Sequence, residues 1–153
     1  MEILLQYKAV LEQGLSARTV ELEKEDRKLV ADLNLLTDKP VLYVCNVDEK
    51  SAVTGNEHTR AVEAAIADER AEMLIVAAAT EADIAELDEY EERQMFLEEI
   101  GLKESGVARL IKAAYKLLDL QTFFTTGADE SRAWIFRRGM KAPQTAGIIH
   151  TDF

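Results

Sequence analysis

An α/β fold, with parallel strands and flanking helices, is predicted by two continuous apolar runs and the helix that separates them. Val41-Leu42-Tyr43-Val44-Cys45 and Met73-Leu74-Ile75-Val76-Ala77 lack the alternation of a one-sided sheet. Each suits a strand buried on both faces, as in a parallel sheet. Residues 56–70 lie between them and place Val62, Ala65 and Ile66 at helical spacing. Strand, helix and strand in that order form a βαβ unit, whose right-handed crossover leaves the strands parallel. The third observation is a change of texture after Leu120. Thr122-Phe123-Phe124-Thr125 and Arg132-Ala133-Trp134-Ile135-Phe136 read as two strands around a Gly127-Ala128-Asp129 turn.

The remaining elements follow in order. Residues 2–12 carry Ile3, Leu4, Tyr7, Val10 and Leu11 on one helical stripe, with Gly14 as a stop. A second helix over 23–36 turns Leu29, Val30, Leu33 and Leu36 inward, and Pro40 closes the helical region. Together they read as the end of a helical hairpin whose first helix has no evident partner. Beyond the second strand, Asp88 and Glu91 form a capping pair for a helix over 89–100 that Gly101 ends. Ser105 caps another helix to about Leu118, with Val107, Leu110, Ile111, Ala114 and Leu117 on its inner face. A last helix starts near Pro143. Two strands and one helix bury too little to be stable alone, so the C-terminal module reads as unfinished.

Composition narrows the function classes. With 153 residues, 48% of them hydrophobic and 31% charged, the chain is long enough for one ordinary domain and is globular in composition. No apolar run approaches the roughly 20 residues of a membrane helix, and the first residues lack the features of a signal peptide. One cysteine, Cys45, excludes an internal disulfide and suits the cytoplasm. The net charge of −11 is unevenly spread. Residues from Thr122 onward carry +1, through Arg132, Arg137, Arg138 and Lys141 against Asp129, Glu130 and Asp152, which leaves −12 on the first 121. Such a body repels phosphate backbones, so nucleic-acid contact falls to the C-terminal bases or to a partner.

The candidate site lies where the first apolar run ends, at Asn46-Val47-Asp48-Glu49. Open α/β sheets place ligands at the carboxyl ends of their strands. An Asn amide offers a donor and an acceptor, and a carboxylate three residues on accepts from an N–H, a pair that can grip a purine edge. Asn and Asp also favour turns after strands for local reasons, so both readings stand. Ala77-Ala78-Ala79, at the end of the second run, reads either as a small-residue loop that lets N–H groups approach a base or as a tight strand-to-helix turn.

No phosphate-binding loop accompanies them. In Gly101-Leu102-Lys103-Glu104-Ser105-Gly106 the spacing of the two glycines fits, but Val107 and Ala108 stand where Lys and Ser/Thr are required, between two helices. None of the seven glycines has Asp three places before it. No catalytic constellation and no metal site are expected, since His58, His150 and Cys45 have no ligand spacing. Trp134 and Phe136 among Arg132, Arg137 and Arg138 either stack on RNA or pack one strand face with the bases outward.

These segments resemble the YchF family, Obg-related P-loop NTPases, over nearly the whole chain. The resemblance rests on the stretch from Leu35 through Thr37-Asp38-Lys39-Pro40 to Asn46-Val47-Asp48-Glu49, and on Glu81-Ala82-Asp83-Ile84-Ala85-Glu86-Leu87. It continues in Phe96-Leu97-Glu98-Glu99-Ile100-Gly101-Leu102, Ser105-Gly106-Val107-Ala108-Arg109-Leu110-Ile111, Arg132-Ala133-Trp134 and Lys141-Ala142-Pro143-Gln144-Thr145-Ala146-Gly147-Ile148-Ile149-His150-Thr151-Asp152-Phe153.

The resemblance implies a partial P-loop NTPase fold, preceded by a helical-hairpin arm and followed by an incomplete β-grasp (TGS) module. Residues 1–37 would end a coiled-coil insertion, 38–120 form the C-terminal half of a nucleotide-binding domain, and 121–153 begin the TGS domain. It implies base binding by Asn46, Val47, Glu49, Ala77, Ala78 and Ala79, with ATP or GTP as ligand and Mg²⁺ only in the full-length protein. Glu49 in place of the Asp of ordinary GTPases implies a lean toward ATP. The alanines replace a more typical Ser-Ala-Lys or Ser-Ala-Ala, which keeps backbone contacts but loses the Ser side chain. Expected partners are a purine nucleotide and the ribosome or RNA, through Arg132, Arg137, Arg138 and Lys141, with self-association through exposed helices. The chain alone is expected to be inactive as a hydrolase; the alternative is a non-catalytic RNA, ribosome or protein interaction module.

Overall fold

The computed structural model describes residues 2–69 and 71–150. At its start α1 (Glu2–Glu12) runs to a turn at Gly14, whose φ of +73° is a conformation glycine tolerates. A short helix α2 (Lys24–Val30) packs beside it. Tyr7, Ala17, Val20 and Val30 form the buried core of this arm, flanked by Ile3, Val10, Leu22 and Leu35. Burial first, and the Asp38 carboxylate second, push the Tyr7 phenol above its ordinary pKa, so it stays neutral.

The arm departs from expectation at its second helix. α2 stops at Val30, and two single 3₁₀ turns (Ala31–Leu33 and Leu36–Asp38) replace its continuation. Asn34 takes the left-handed conformation at φ 48°, which a helix cannot absorb. Leu29 and Leu36, expected inward, are 76% and 78% exposed, and Leu33 is exposed as well.

The α/β body follows. β1 (Leu42–Asn46) and β2 (Glu72–Val76) pair in parallel, from Leu42 opposite Glu72 to Asn46 opposite Val76. The crossover contains α3 (Glu57–Ala65), started by a reciprocal cap in which Asn56 accepts from the Thr59 N–H and the Thr59 hydroxyl accepts from the Asn56 N–H. The helix expected to reach residue 70 ends at Ala65, with a turn from Ile66 to Glu69; Arg70 lies outside the described residues. Val44 is half exposed, which corrects the expectation of burial on both faces: two strands are too few to enclose one another.

Three helices complete the body: α4 (Ala78–Glu86), α5 (Tyr90–Glu99) and α6 (Gly106–Leu117). α4 begins at Ala78, so 77–79 is a strand-to-helix turn; alanine is the best helix former. The Asp88 cap is not formed. Glu89 holds the N-cap position of α5 without a side-chain bond, and Arg93 Nε instead donates to the Leu87 carbonyl at 2.7 Å. Ser105 does cap α6, accepting from the Ala108 N–H at 3.2 Å. α6 packs on both strands, yet Val107, Leu110 and Ile111 of its expected inner face are exposed, because a two-stranded sheet is narrower than its apolar stripe.

Antiparallel β3 (Leu120–Thr126) and β4 (Ser131–Arg137) follow as expected, and α7 (Ala142–Ile149) returns onto β4. Phe123 and Phe136 meet edge to face at 5.8 Å.

Candidate functional site

Strand register brings Asn46 and the 77–79 turn to one edge. Asn46 ends β1 opposite Val76, and the Val47 N–H continues the ladder by donating to the Val76 carbonyl at 2.9 Å. The Ala78 N–H then donates to Asn46 Oδ1 at 3.0 Å. Because the backbone partner is a donor, it must face the amide oxygen. The Asn46 NH₂ is thereby turned away from Ala78, and Asn46 is exposed to solvent.

The next residues build a turn of their own. Asp48 Oδ1 accepts from the Ser51 N–H at 3.0 Å and caps the 3₁₀ turn Glu49–Ser51. Ser51, by its side chain first and its backbone second, holds the Asp48 carboxyl below its ordinary pKa. The cap therefore survives through neutral pH and is lost as pH falls through that lowered value. Turn chemistry thus accounts for Asp48. It does not account for Asn46, whose partner lies 32 residues away in sequence.

Val47 is half-buried and Ala77 is 4% exposed, while Ala78 and Ala79 are exposed. Glu49 is exposed and lines a cleft of about 490 Å³ with Lys50 and Val53 on one side and Phe96 and Glu99 of α5 and the following Ile100 on the other. Neither Asn46 nor the alanines line that cleft. The structure thus joins Asn46 to Ala78 and sets Glu49 one turn beyond. With two carboxylates and one ammonium, the cleft suits a donor-rich ligand edge better than a phosphate.

Sequence reading overlooked two residues that frame this edge. Glu81 of α4 accepts from the Gly106 N–H at 2.5 Å, and Arg109 Nη2 donates to the Ile75 carbonyl at 2.6 Å. Both lie in segments that carry the family resemblance, but nothing in their local pattern marks them as partners across the fold.

The four bases of the C-terminal module do not form one patch. Arg132 lies over the Trp134 ring at 4.9 Å, on the sheet face that also holds Phe123 and Phe136. Arg137 occupies the opposite face with Ile135 and the 76%-exposed Phe124. Arg138 pairs with Asp119 at 3.3 Å, and Lys141 stands at the N-cap of α7. Among the described residues no helix is long and apolar enough to cross a membrane, and no cluster of three or more His, Cys, Asp or Glu could hold a metal.

The fold defines a mixed α/β protein with a parallel strand pair flanked by helices and a separate antiparallel hairpin. Over 99% of its length the chain is 53% identical to the "Ribosome-binding ATPase YchF" of Bacillus subtilis, covering 42% of that protein. It is 46% identical over 94% of its length to the protein of the same name from Escherichia coli O157:H7, covering 39% of it. The solved "Structure of the Schizosaccharomyces pombe YchF GTPase" superposes on 99% of the chain and 40% of that protein, with a TM-score of 0.85 and 29% identity. The family model YchF-GTPase_C, described as "Protein of unknown function (DUF933)", matches residues 120–153. The chain belongs to the YchF family. It spans about 40% of the length of these relatives.

Proposed function

We propose that this chain carries the base-recognising edge of a purine-nucleotide site, leaning toward ATP, and that it does not hydrolyse nucleotide by itself. The observation that carries this reading is the Ala78 N–H to Asn46 Oδ1 bond, which leaves the Asn46 NH₂ as an oriented donor for a ring nitrogen of the base. Val47 flanks the base face, the exposed Ala78 and Ala79 border its edge, and Glu49, from the neighbouring cleft, accepts from an exocyclic amine. The longer Glu49 side chain displaces the carboxylate by about one C–C bond from where a two-point guanine contact needs it. The bacterial relatives are named ATPases and the yeast structure a GTPase, so purine binding is common ground. In this reading 1–37 is the end of a helical insertion, 38–120 the second half of the nucleotide domain and 121–153 the start of a TGS module. No residue here is assigned to Mg²⁺ or to the phosphates.

Titrating the chain with ATP while recording amide NMR spectra tests it. ATP at millimolar concentration is expected to move the Asn46 and Ala78 signals, with an Asn46→Ala variant losing the response. Phosphate release should match that of Glu49→Ala. Faster hydrolysis than this control, or an Asn46 signal indifferent to ATP, would refute the proposal.

A second reading concerns partners. The relatives' name, ribosome-binding, and the Arg137–Ile135–Phe124 face support an RNA-docking role in the cytoplasm. Exposed Leu4, Leu11, Leu15, Leu29 and Leu36 support self-association of the arm. Sedimentation of the chain, alone and with a labelled single-stranded RNA, tests both. We expect concentration-dependent dimers, and an RNA complex at low salt that Arg137→Ala weakens more than Arg138→Ala, because Arg138 already pairs with Asp119. A monomer at every concentration contradicts self-association. RNA binding indifferent to salt and to Arg137 contradicts the docking face.

A further inference from the structure

The turn that presents the Ala78 N–H has little to hold it locally. Ala77, the N-cap residue of α4, has no side chain that can bond the first turn. Both flanks of the turn are instead gripped by α6. Before it, the Arg109 guanidinium donates to the Ile75 carbonyl at 2.6 Å. After it, the Glu81 carboxylate accepts from the Gly106 N–H at 2.5 Å. Each bond has one charged partner, and such bonds are roughly twice as strong as neutral ones.

Two further observations show that this grip is built at some cost. Gly106 is buried, and a Cβ there would lie 2.8 Å from Glu81 Oε1 and 2.9 Å from Val76 Cγ1. Only glycine lets the carboxylate approach the helix end. Arg109 Nε is buried without a hydrogen-bond partner among the described residues, so its guanidinium reaches Ile75 with one donor unsatisfied. Val76, between Ile75 and Ala77, is the residue that pairs with Asn46 in the sheet. A shift of α6 therefore moves Ala78 relative to Asn46.

We propose that Glu81 and Arg109 are positioning residues for base recognition: by clamping the 77–79 turn to α6 they set where the Ala78 N–H meets Asn46, and so where the Asn46 NH₂ points. This rests on the purine-site reading above. It adds that purine selectivity is controlled through the contacts α6 makes with α4 and β2, by side chains outside the proposed base contacts.

The test compares ATP with CTP, which differ only in the base, by NMR titration of the full chain. The chain is expected to bind ATP more tightly than CTP. Glu81→Ala should weaken ATP binding by about fivefold, the worth of one hydrogen bond, and leave CTP binding unchanged. Glu81→Gln keeps an acceptor and should return ATP affinity to within about twofold. Should Glu81→Ala fail to fold, Arg109→Lys carries the test, since a single ammonium cannot reproduce the planar guanidinium contact; about threefold loss of the ATP preference is expected. An ATP-to-CTP ratio unchanged in these variants, or equal losses for both nucleotides, overturns the positioning role while leaving the base site standing. A chain that does not distinguish ATP from CTP at all overturns both.

Discussion

Replacing Gly55 with alanine is expected to destabilise the chain by about 3 kcal/mol, the sum of a left-handed backbone penalty and an overpacking cost. Gly55 has a φ of +67°, and a Cβ there would lie 2.3 Å from the Thr59 hydroxyl oxygen and 2.9 Å from Ile75 Cδ1. The Thr59 hydroxyl is the atom that accepts from the Asn56 N–H, so the clash breaks the cap of α3 as well as the contact with β2. Gly14→Ala is the natural comparison. Its φ is +73°, but nothing lies within 4 Å of the added carbon. Only the backbone term remains there, about 1–2 kcal/mol. Urea unfolding of both variants measures the difference, and equal losses would show that the packing around Gly55 is not as described.

Arg18→Ala is expected to cost about 2–3 kcal/mol, through acceptors stripped of a charged donor. Arg18 Nη1 donates to the carbonyls of Thr37 at 2.9 Å and Lys39 at 3.3 Å, and Nε reaches Glu69 at 3.4 Å. Glu69 also accepts from the Tyr43 hydroxyl at 3.1 Å, which links the arm, the approach to β1 and the end of the crossover. The Arg18 side chain is 15% exposed, so solvent screens this cluster far less than the Lys8–Glu12 pair, whose side chains are 67% and 66% exposed. Lys8→Ala should change stability by no more than about 0.5 kcal/mol. Hydrogen exchange should locate the Arg18→Ala effect at the junction of arm and body. A loss as small as that of Lys8→Ala would mean that the arm is held by its apolar core alone.

Much of the fold is legible in the residues because its causes are local. The continuous apolar runs define β1 and β2, Ser105 starts α6, Gly14 and Gly101 end their helices at positive φ, and the aromatic alternation around Gly127 forms the β3–β4 hairpin. The arm was harder to read. Leu29, Leu33 and Leu36 keep helical spacing, yet Asn34 turns left-handed and exposes the stripe, a choice that periodicity does not record. The inner face of α6 was misjudged for a related reason: apolar spacing shows which residues share a face but not how wide a surface exists to cover it.

At the strand edge, sequence by itself determined the residue types: an amide and a carboxylate three places apart after an apolar strand, followed much later by three alanines. It also determined that Asp48 would favour a turn, since that bond closes within four residues. Only the tertiary structure decided which of these groups meet. Parallel pairing sets Asn46 beside Val76, so the Ala78 N–H reaches its side chain across 32 residues, and α6 supplies Arg109 and Glu81's partner to hold the turn. Glu49, three residues past Asn46, is set by the 3₁₀ turn on the cleft that faces α5, beside the Asn46–Ala78 contact. The physical reason is that hydrogen bonds form between groups that are close in space. Short-range pattern controls such closeness only within an element, whereas between elements it is set by strand register and helix packing.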